Sequence, residues 1–232
     1  MQRETGGVLV PTAGSNESVI FIAPVAEGVL LIDLGWRDAA VELSRSLAWL
    51  GRSPEDVVAV FLTHAHRDHI AAWPLVSHAP IYLSADEVDL FVGRDAPGGT
   101  LPGLGDRLLP ARRPDSEEVT LRPFTGDTAV TIGADTVRAF TVPGHTAGSA
   151  AYLFRGVLFV GDALAAGPVG GLRPAVGVYS VDPARARECA RLRLDRAARF
   201  TPRFVCTAHG ACVRWEEALR DLRLGARSWR PQ

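Results

Sequence analysis

Lysine is missing from this chain altogether: all 25 basic residues are arginines. No lysine can therefore serve as nucleophile or Schiff-base former. Codon bias in a GC-rich genome is the plain source of such a skew. Cysteine is scarce, with only Cys189, Cys206 and Cys212 and no C-x-x-C pair. Three thiols cannot all pair, so the expectation is a reduced, cytoplasmic protein. A surplus of charge is also missing. The net charge of −1 draws the chain to neither nucleic acid nor a membrane surface. No apolar run approaches the roughly 18 residues of a membrane span. Gln2-Arg3-Glu4 runs into Gly6-Gly7 without a basic segment followed by a continuous apolar one, so no secretory signal is expected.

What is present is ordinary for a globular α/β chain. Of 232 residues, 47% are apolar and 22% charged, enough to build one domain over 1–232. The chemistry is concentrated in Thr63-His64-Ala65-His66-Arg67-Asp68-His69, directly after the apolar run Val57–Leu62. Three of the six histidines sit here with one carboxylate. Neutral imidazole is the commonest protein metal ligand and carboxylate a frequent companion. One tight loop can aim His64 and His66 at one ion, and Asp68 and His69 at a second.

The other histidines follow a common pattern. His145 lies in Val142-Pro143-Gly144-His145-Thr146-Ala147-Gly148-Ser149, Asp162 in Leu158-Phe159-Val160-Gly161-Asp162, and His209 in Cys206-Thr207-Ala208-His209-Gly210. Each follows a short apolar or β-branched run beside glycine or proline, as a side chain at a strand tip does. Strand tips gathered at one sheet edge can converge. Only His78, in Val76-Ser77-His78-Ala79-Pro80, is left over, and it reads as a surface or loop residue.

The ordered set H-x-H-x-D-H, P-G-H-T-x-G-S, G-D and A-H-G resembles the metallo-β-lactamase superfamily. The spacings are 81 residues from His64 to His145, 17 more to Asp162 and 47 more to His209. The resemblance implies a four-layer αββα sandwich, where periodicity alone reads only as α/β or α+β. It implies His64, His66 and His145 on one ion, Asp68, His69 and His209 on another, and Asp162 bridging both. The implied cofactors are two divalent ions, zinc before iron or manganese. A hydroxide between the ions would attack an ester, thioester or lactone of a small molecule, with Asp68 and Asp162 as the catalytic carboxylates. Asp33, in Leu31-Ile32-Asp33-Leu34-Gly35, stands where the family often carries an acid that braces the metal loop; its other reading is a turn cap. Thr63 and Thr146 are candidates to hydrogen-bond ligands. Tyr179 is a candidate substrate contact, or an ordinary packed tyrosine.

Along the chain, strands are expected at Ser18–Ala23, Gly28–Asp33, Val57–Thr63, Ile81–Ser84, Thr128–Ile132, Val137–Val142, Ala150–Phe154, Val157–Val160 and Phe204–Thr207. Helices are expected at Asp38–Leu50, near Asp68–Ala72, Ala85–Val92, from Asp182 to about Phe200, and at Trp215–Leu224. Gly93–Asp115 carries five glycines and four prolines and reads as an irregular insertion, either a substrate-facing lid or an excursion without a role. Ala165–Gly177 is similarly rich in both. Cys206 reads as a buried strand residue, with proximity to the metals as the alternative.

Among members of the superfamily, a complete seven-ligand set favours a dinuclear hydrolase. Glyoxalase II-like thioesterases and acyl homoserine lactonases share it. Only 23 residues follow His209, too few for the separate helical domain that binds glutathione in typical glyoxalase II enzymes, so glutathione thioester hydrolysis is the less expected activity. A true β-lactamase would need export. Arg185, Arg187, Arg191, Arg193, Arg196, Arg199 and Arg203 cluster around one helix, but Asp182, Glu188 and Asp195 dilute them, and a solvated outer face reads better than a phosphate track. A phosphodiesterase or nuclease is the weakest alternative. The serious rival is a sulfur dioxygenase with one iron on the counterparts of His64, His145 and Asp162. The expected partner is a small molecule, with monomer and homodimer both open.

Overall fold

The computed structural model describes residues 3–5, 8–10, 18–108, 110–166, 171–174, 177–210 and 212–228. Strands β1 (Arg3–Thr5), β2 (Val8–Val10), β3 (Phe21–Val25), β4 (Gly28–Ile32), β5 (Val57–Phe61), β6 (Ile81–Ser84) and β7 (Leu121–Phe124) form one seven-stranded sheet in sequence order. Strands β8 (Thr128–Ile132), β9 (Asp135–Thr141), β10 (Ala150–Phe154), β11 (Val157–Phe159), β14 (Phe204–Cys206) and β15 (Cys212–Arg214) form a second, ordered β15-β14-β11-β10-β9-β8. Between them in sequence, β12 (Leu164–Ala166) and β13 (Leu172–Pro174) make a separate hairpin. The helices are α1 (Ala39–Trp49), α2 (Arg67–Ile70), α3 (Val88–Phe91), α4 (Thr100–Leu108), α5 (Pro183–Ala198) and α6 (Trp215–Ser228).

Strand alternation sorts the apolar residues into three layers. Successive side chains point to opposite faces. In β3, Phe21, Ala23 and Val25 face the other sheet, as do Leu30 and Ile32 of β4 and Phe61 of β5. They meet Ala150, Tyr152 and Phe154 of β10 and Val157 and Phe159 of β11. Aromatic rings bridge the two sheets, Phe21 to Phe159 at 4.7 Å and Phe61 to Tyr152 at 5.4 Å between centroids. The intervening residues Ile22, Val29 and Leu31 pack outward with Leu43 and Leu47 of α1, Trp73 and Phe91. On the other side, Ala151, Leu153 and Leu158 pack with Ala190 and Ala197 of α5 and Ala218 of α6. Both faces of these strands are covered, which is why they read as continuous apolar runs. The result is the expected αββα sandwich.

Helix starts follow local chemistry. Asp182 caps α5 by accepting from the Arg185 amide, and Pro183 opens the helix where its missing N–H costs nothing. On the outside of α5, Arg196 pairs with Asp127 at 2.8 Å, as a solvated face would; the side chains at 191–194 lie outside the described residues.

Two expectations need correction, on the 93–115 insertion and on the cysteines. The 93–115 insertion is not irregular throughout, because α4 forms inside it. Pro102 sits in the first turn of α4, where a missing N–H is harmless, so it does not break the helix. Ala165–Gly177 contains the β12–β13 hairpin; residues 167–170 and 175–176 of it lie outside the described residues. The cysteines are not all free: β14 and β15 set Cys206 opposite Cys212, and a disulfide joins them while Cys189 stays unpaired. Two residues six apart in sequence came into register through a tight hairpin. That removes the cysteine argument for a reducing compartment. Cys206 is buried in its strand. Among the described residues no helix is long and apolar enough to cross a membrane.

Candidate metal centre

Strand direction explains why the histidines meet. In the first sheet, β4 and β5 are parallel, and their C-terminal ends lead into Asp33 and into His64–His69. In the second, β9 and β11 are each antiparallel to β10, and β11 is parallel to β14. Hence β9, β11 and β14 point the same way, and their ends lead to His145, Asp162 and His209. Five strand ends open on one edge of the sandwich. Open α/β folds place their ligands at such carboxyl ends.

His64, His66 and His145 form the first group. His64 Nε2 lies 3.1 Å from His66 Nδ1, and His145 Nε2 lies 3.1 Å from each of them. Burial pushes the pKa of all three below the ordinary imidazole range, which leaves their lone pairs free. Tetrahedral zinc at about 2.0–2.1 Å from each ligand needs nitrogens roughly 3.3 Å apart, so this triangle fits.

Asp68, His69 and His209 form the second group. His209 Nε2 lies 3.5 Å from Asp68 Oδ2, and His69 Nε2 lies 3.8 Å from the same oxygen. Asp162 stands between the groups. One of its oxygens is 3.5 Å from His145 Nε2 and 3.3 Å from His209 Nε2, and the other is 3.8 Å from His69 Nε2. Burial opposes charge on Asp162, but His209 and His69 outweigh it and hold the carboxyl well below its usual range. Burial likewise opposes charge on His69, yet Asp33, Asp68 and Asp162 together raise it to about 10. His209 is raised as well; burial works against it and Asp162 prevails.

His66 Nε2, His69 Nε2 and Asp162 Oδ1 are buried without a hydrogen-bond partner. Unpaired buried donors and acceptors of this kind are costly, and native proteins seldom keep them without a reason. The orphaned His69 Nε2 and Asp162 Oδ1 lie 3.8 Å apart, and three overlapping groups, His64-His66-His145, His64-His69-Asp162 and Asp68-His69-His209, bring donors close enough to fit two metal ions.

The supports lie just behind. Asp33 accepts from the Thr63 amide at 2.7 Å and from the Thr63 hydroxyl, and its Oδ2 lies 2.9 Å from His69 Nδ1. Its backbone is left-handed, with φ 59°, a conformation Asp tolerates better than most residues. Thr63 Oγ1 also lies 3.2 Å from His64 Nδ1. The Thr146 hydroxyl is 2.7 Å from Ser149 Oγ, which also accepts from the Thr146 amide at 3.0 Å. Ser18 Oγ donates to the Asp68 carbonyl. Before Asp162, Gly161 has φ +52°, and a Cβ there would come within 2.5 Å of Thr63 Oγ1. Glycine is needed on both counts.

The sequence profile of the metallo-beta-lactamase superfamily matches residues 13–209. The chain belongs to this superfamily. It is 30% identical over 166 residues to a hydroxyacylglutathione hydrolase of Halorhodospira halophila, covering 69% of this chain and 52% of that one. It is 28% identical over 141 residues to the probable polyketide biosynthesis zinc-dependent hydrolase PksB of Bacillus subtilis, covering 60% and 50%. The match thus spans about half the length of these relatives. In structure it resembles an archaeal metallo-beta-lactamase superfamily protein from Sulfolobus tokodaii (TM-score 0.64, 19% identity, 93% of this chain and 82% of that one). It also resembles a subclass B3 metallo-beta-lactamase of Bradyrhizobium japonicum (TM-score 0.67, 17% identity, 96% and 89%). At such identities the likeness is one of fold.

The superfamily site opens into a cavity of about 660 Å³, lined by His66, Asp68, His145, Asp162 and His209 on one side. The rest of its lining is mostly apolar, from Trp36, Pro97, Leu101, Pro102, Ala165 and Tyr179, with Arg67 and Arg173 among them. Tyr179 is about half exposed at the rim. Helix α4 packs on the turn Gly177–Tyr179, and the Arg67 guanidinium ties it to the metal loop by donating to the Gly105 carbonyl at 2.7 Å. The insertion therefore builds a wall of the cavity. His78 stays outside, exposed, with Nε2 3.2 Å from the Val57 carbonyl.

Sequence reasoning missed Trp36, Arg67, Arg173, Leu101 and Glu87. The first four line the cavity; Trp36, Arg173 and Leu101 belong to no motif, and Arg67 fills a variable position of the H-x-H-x-D-H motif. Glu87 is buried, and it accepts from the Ala65 amide at 2.7 Å and the Gly148 amide at 2.9 Å. Burial pushes its carboxyl up in pKa, against the pull of Thr146, Ala65 and Gly148. A glutamate after Ser84-Ala85-Asp86 carries no local signal of such a role.

Proposed function

We propose that this protein is a dinuclear metallohydrolase that cleaves an ester, thioester or lactone of a small molecule. The observation that carries it is the convergence of three imidazole nitrogens 3.1 Å apart beside a second His/Asp group, with Asp162 in reach of both. His64, His66 and His145 would hold one ion and Asp68, His69 and His209 the other, with Asp162 in reach of both groups. Two divalent ions in these ligands, zinc before iron or manganese, supply water activation near neutral pH and polarise the substrate carbonyl.

The chain's own residues do the rest. Asp33 engages His69 Nδ1 and so directs Nε2 into the site. Thr63 and Thr146 hold the loops that carry His64 and His145. Asp68 borders the cavity; it takes up the proton released as water attacks and returns it to the leaving group. The apolar wall with Tyr179 receives the acyl arm and keeps bulk water from it. The names of the relatives, a hydroxyacylglutathione hydrolase and a zinc-dependent hydrolase, support hydrolysis and zinc.

Elemental analysis of protein purified without added metal tests the reading. Two zinc ions per chain are expected, with turnover of thioesters or lactones that disappears in His66→Ala and Asp162→Ala while circular dichroism is unchanged. Full activity in either variant refutes the mechanism. About one iron per chain, little zinc and persulfide-dependent oxygen uptake would assign a dioxygenase instead.

A further inference from the structure

The three-histidine group draws on two separate loops, residues 63–69 after β5 and residues 142–149 after β9. One carboxylate joins them. Glu87 Oε2 accepts from the Ala65 amide at 2.7 Å, between His64 and His66, and Oε1 accepts from the Gly148 amide at 2.9 Å, three residues beyond His145. Glu87 is 1% exposed, so water does not compete for these bonds. The opposite side of the same loop is also held: the Ala65 carbonyl accepts from Arg113 Nη1 at 3.1 Å. The second loop approaches so closely that a Cβ on Gly148 would lie 2.8 Å from the Glu87 backbone nitrogen.

We propose that Glu87 is a positioning residue for the three-histidine group, a two-pronged carboxylate that fixes the His64–His66 loop and the His145 loop relative to each other and thereby sets the affinity of that group for its metal ion. The inference rests on the metal site proposed above. Each N–H needs its own oxygen lone pair, and only a carboxylate with both oxygens free to accept offers two along these directions. Glutamine has the same shape but one acceptor oxygen. Its NH₂ would face one amide donor head-on, so one loop is released while the volume stays filled. Groups that orient metal ligands from behind typically change affinity by about 10–100-fold when altered.

The test is zinc affinity in wild-type, Glu87→Gln and Glu87→Asp proteins, measured by competition with a chromophoric chelator, with thermal unfolding of the metal-free forms alongside. Aspartate keeps the charge but is one methylene shorter and reaches only one loop, so it also serves if the glutamine variant does not fold. The expected result is that one of two zinc ions binds about 10–100-fold more weakly in the variants while the other is unchanged. Wild-type affinity for both ions in a folded variant overturns the inference and leaves the metal site standing, even if the metal-free Tm falls. A wild-type protein that takes up no zinc overturns the site itself, and this inference with it.

Discussion

Asp33 Oδ2 lies 2.9 Å from His69 Nδ1, and both side chains are fully buried. The contact crosses from the end of β4 to the helix that follows β5, and it decides which face of the imidazole is presented to the site. The same carboxylate takes the Thr63 amide and hydroxyl, so one residue orients a ring and anchors the loop that carries it.

Asp33→Asn removes the anionic partner of His69 Nδ1 while keeping the side-chain size. The expected outcome is a loss of about 10–100-fold in activity and in affinity for one zinc ion, as for other groups behind metal ligands. Steady-state kinetics with saturating and limiting zinc separates the two. Activity within twofold of wild type would remove Asp33 from the bracing role.

Metal loading should release protons. His69, raised to about 10 by Asp33, Asp68 and Asp162 against the effect of burial, is charged in the metal-free protein at neutral pH. A metal ion takes its neutral form, so the ion displaces a proton, and affinity rises with pH until about 10 is passed. In the metal-free chain the sign is opposite. The raised pKa stabilises the fold below the ordinary imidazole pKa of about 6.5, and that contribution is lost as pH climbs through about 10. Calorimetric zinc titration in buffers of differing ionisation enthalpy should show at least about one proton released at pH 7. Heats independent of the buffer would contradict it.

Gly161→Ala should be damaging out of proportion to its size. The added methyl meets Thr63 Oγ1 at 2.5 Å in a backbone of φ +52°. Thr63 holds Asp33, and Asp162 is the next residue, so a shift here moves both the brace and the shared carboxylate. Destabilisation of roughly 1–3 kcal/mol is expected from the strained conformation and the clash together. Chemical denaturation of the metal-free protein measures it, and zinc stoichiometry should fall as well. An unchanged midpoint would show that the loop yields freely.

Much of the fold was legible because the period of the strands is short and both sheets are covered. Val57–Leu62 and Leu158–Val160 are apolar at every position, and from Ala59 to Leu62 and from Leu158 to Val160 successive residues fall in different core layers. Helix α5 announced itself through Asp182 and Pro183. What escaped reading has physical reasons. Helix α4 hides behind glycines and prolines, because Pro102 falls in the one turn that tolerates it. Strand β7 contains Pro123 and lies at a sheet edge, so its sequence carries no strong strand signal. The Cys206–Cys212 pairing follows from hairpin register and not from any spacing rule.

Sequence alone determined which side chains stand at the strand ends, because glycine, proline and histidine mark those positions in the chain itself. Its motifs also carried the likeness to one superfamily. Tertiary structure decided what those side chains meet. Strand direction turned His145, Asp162 and His209 toward His64–His69, burial left the three imidazoles of the first group neutral, and the approach of Gly148 and Ala65 gave Glu87 its two donors. Such partnerships join residues 22 and 61 positions apart, and no local pattern encodes a distance of that kind.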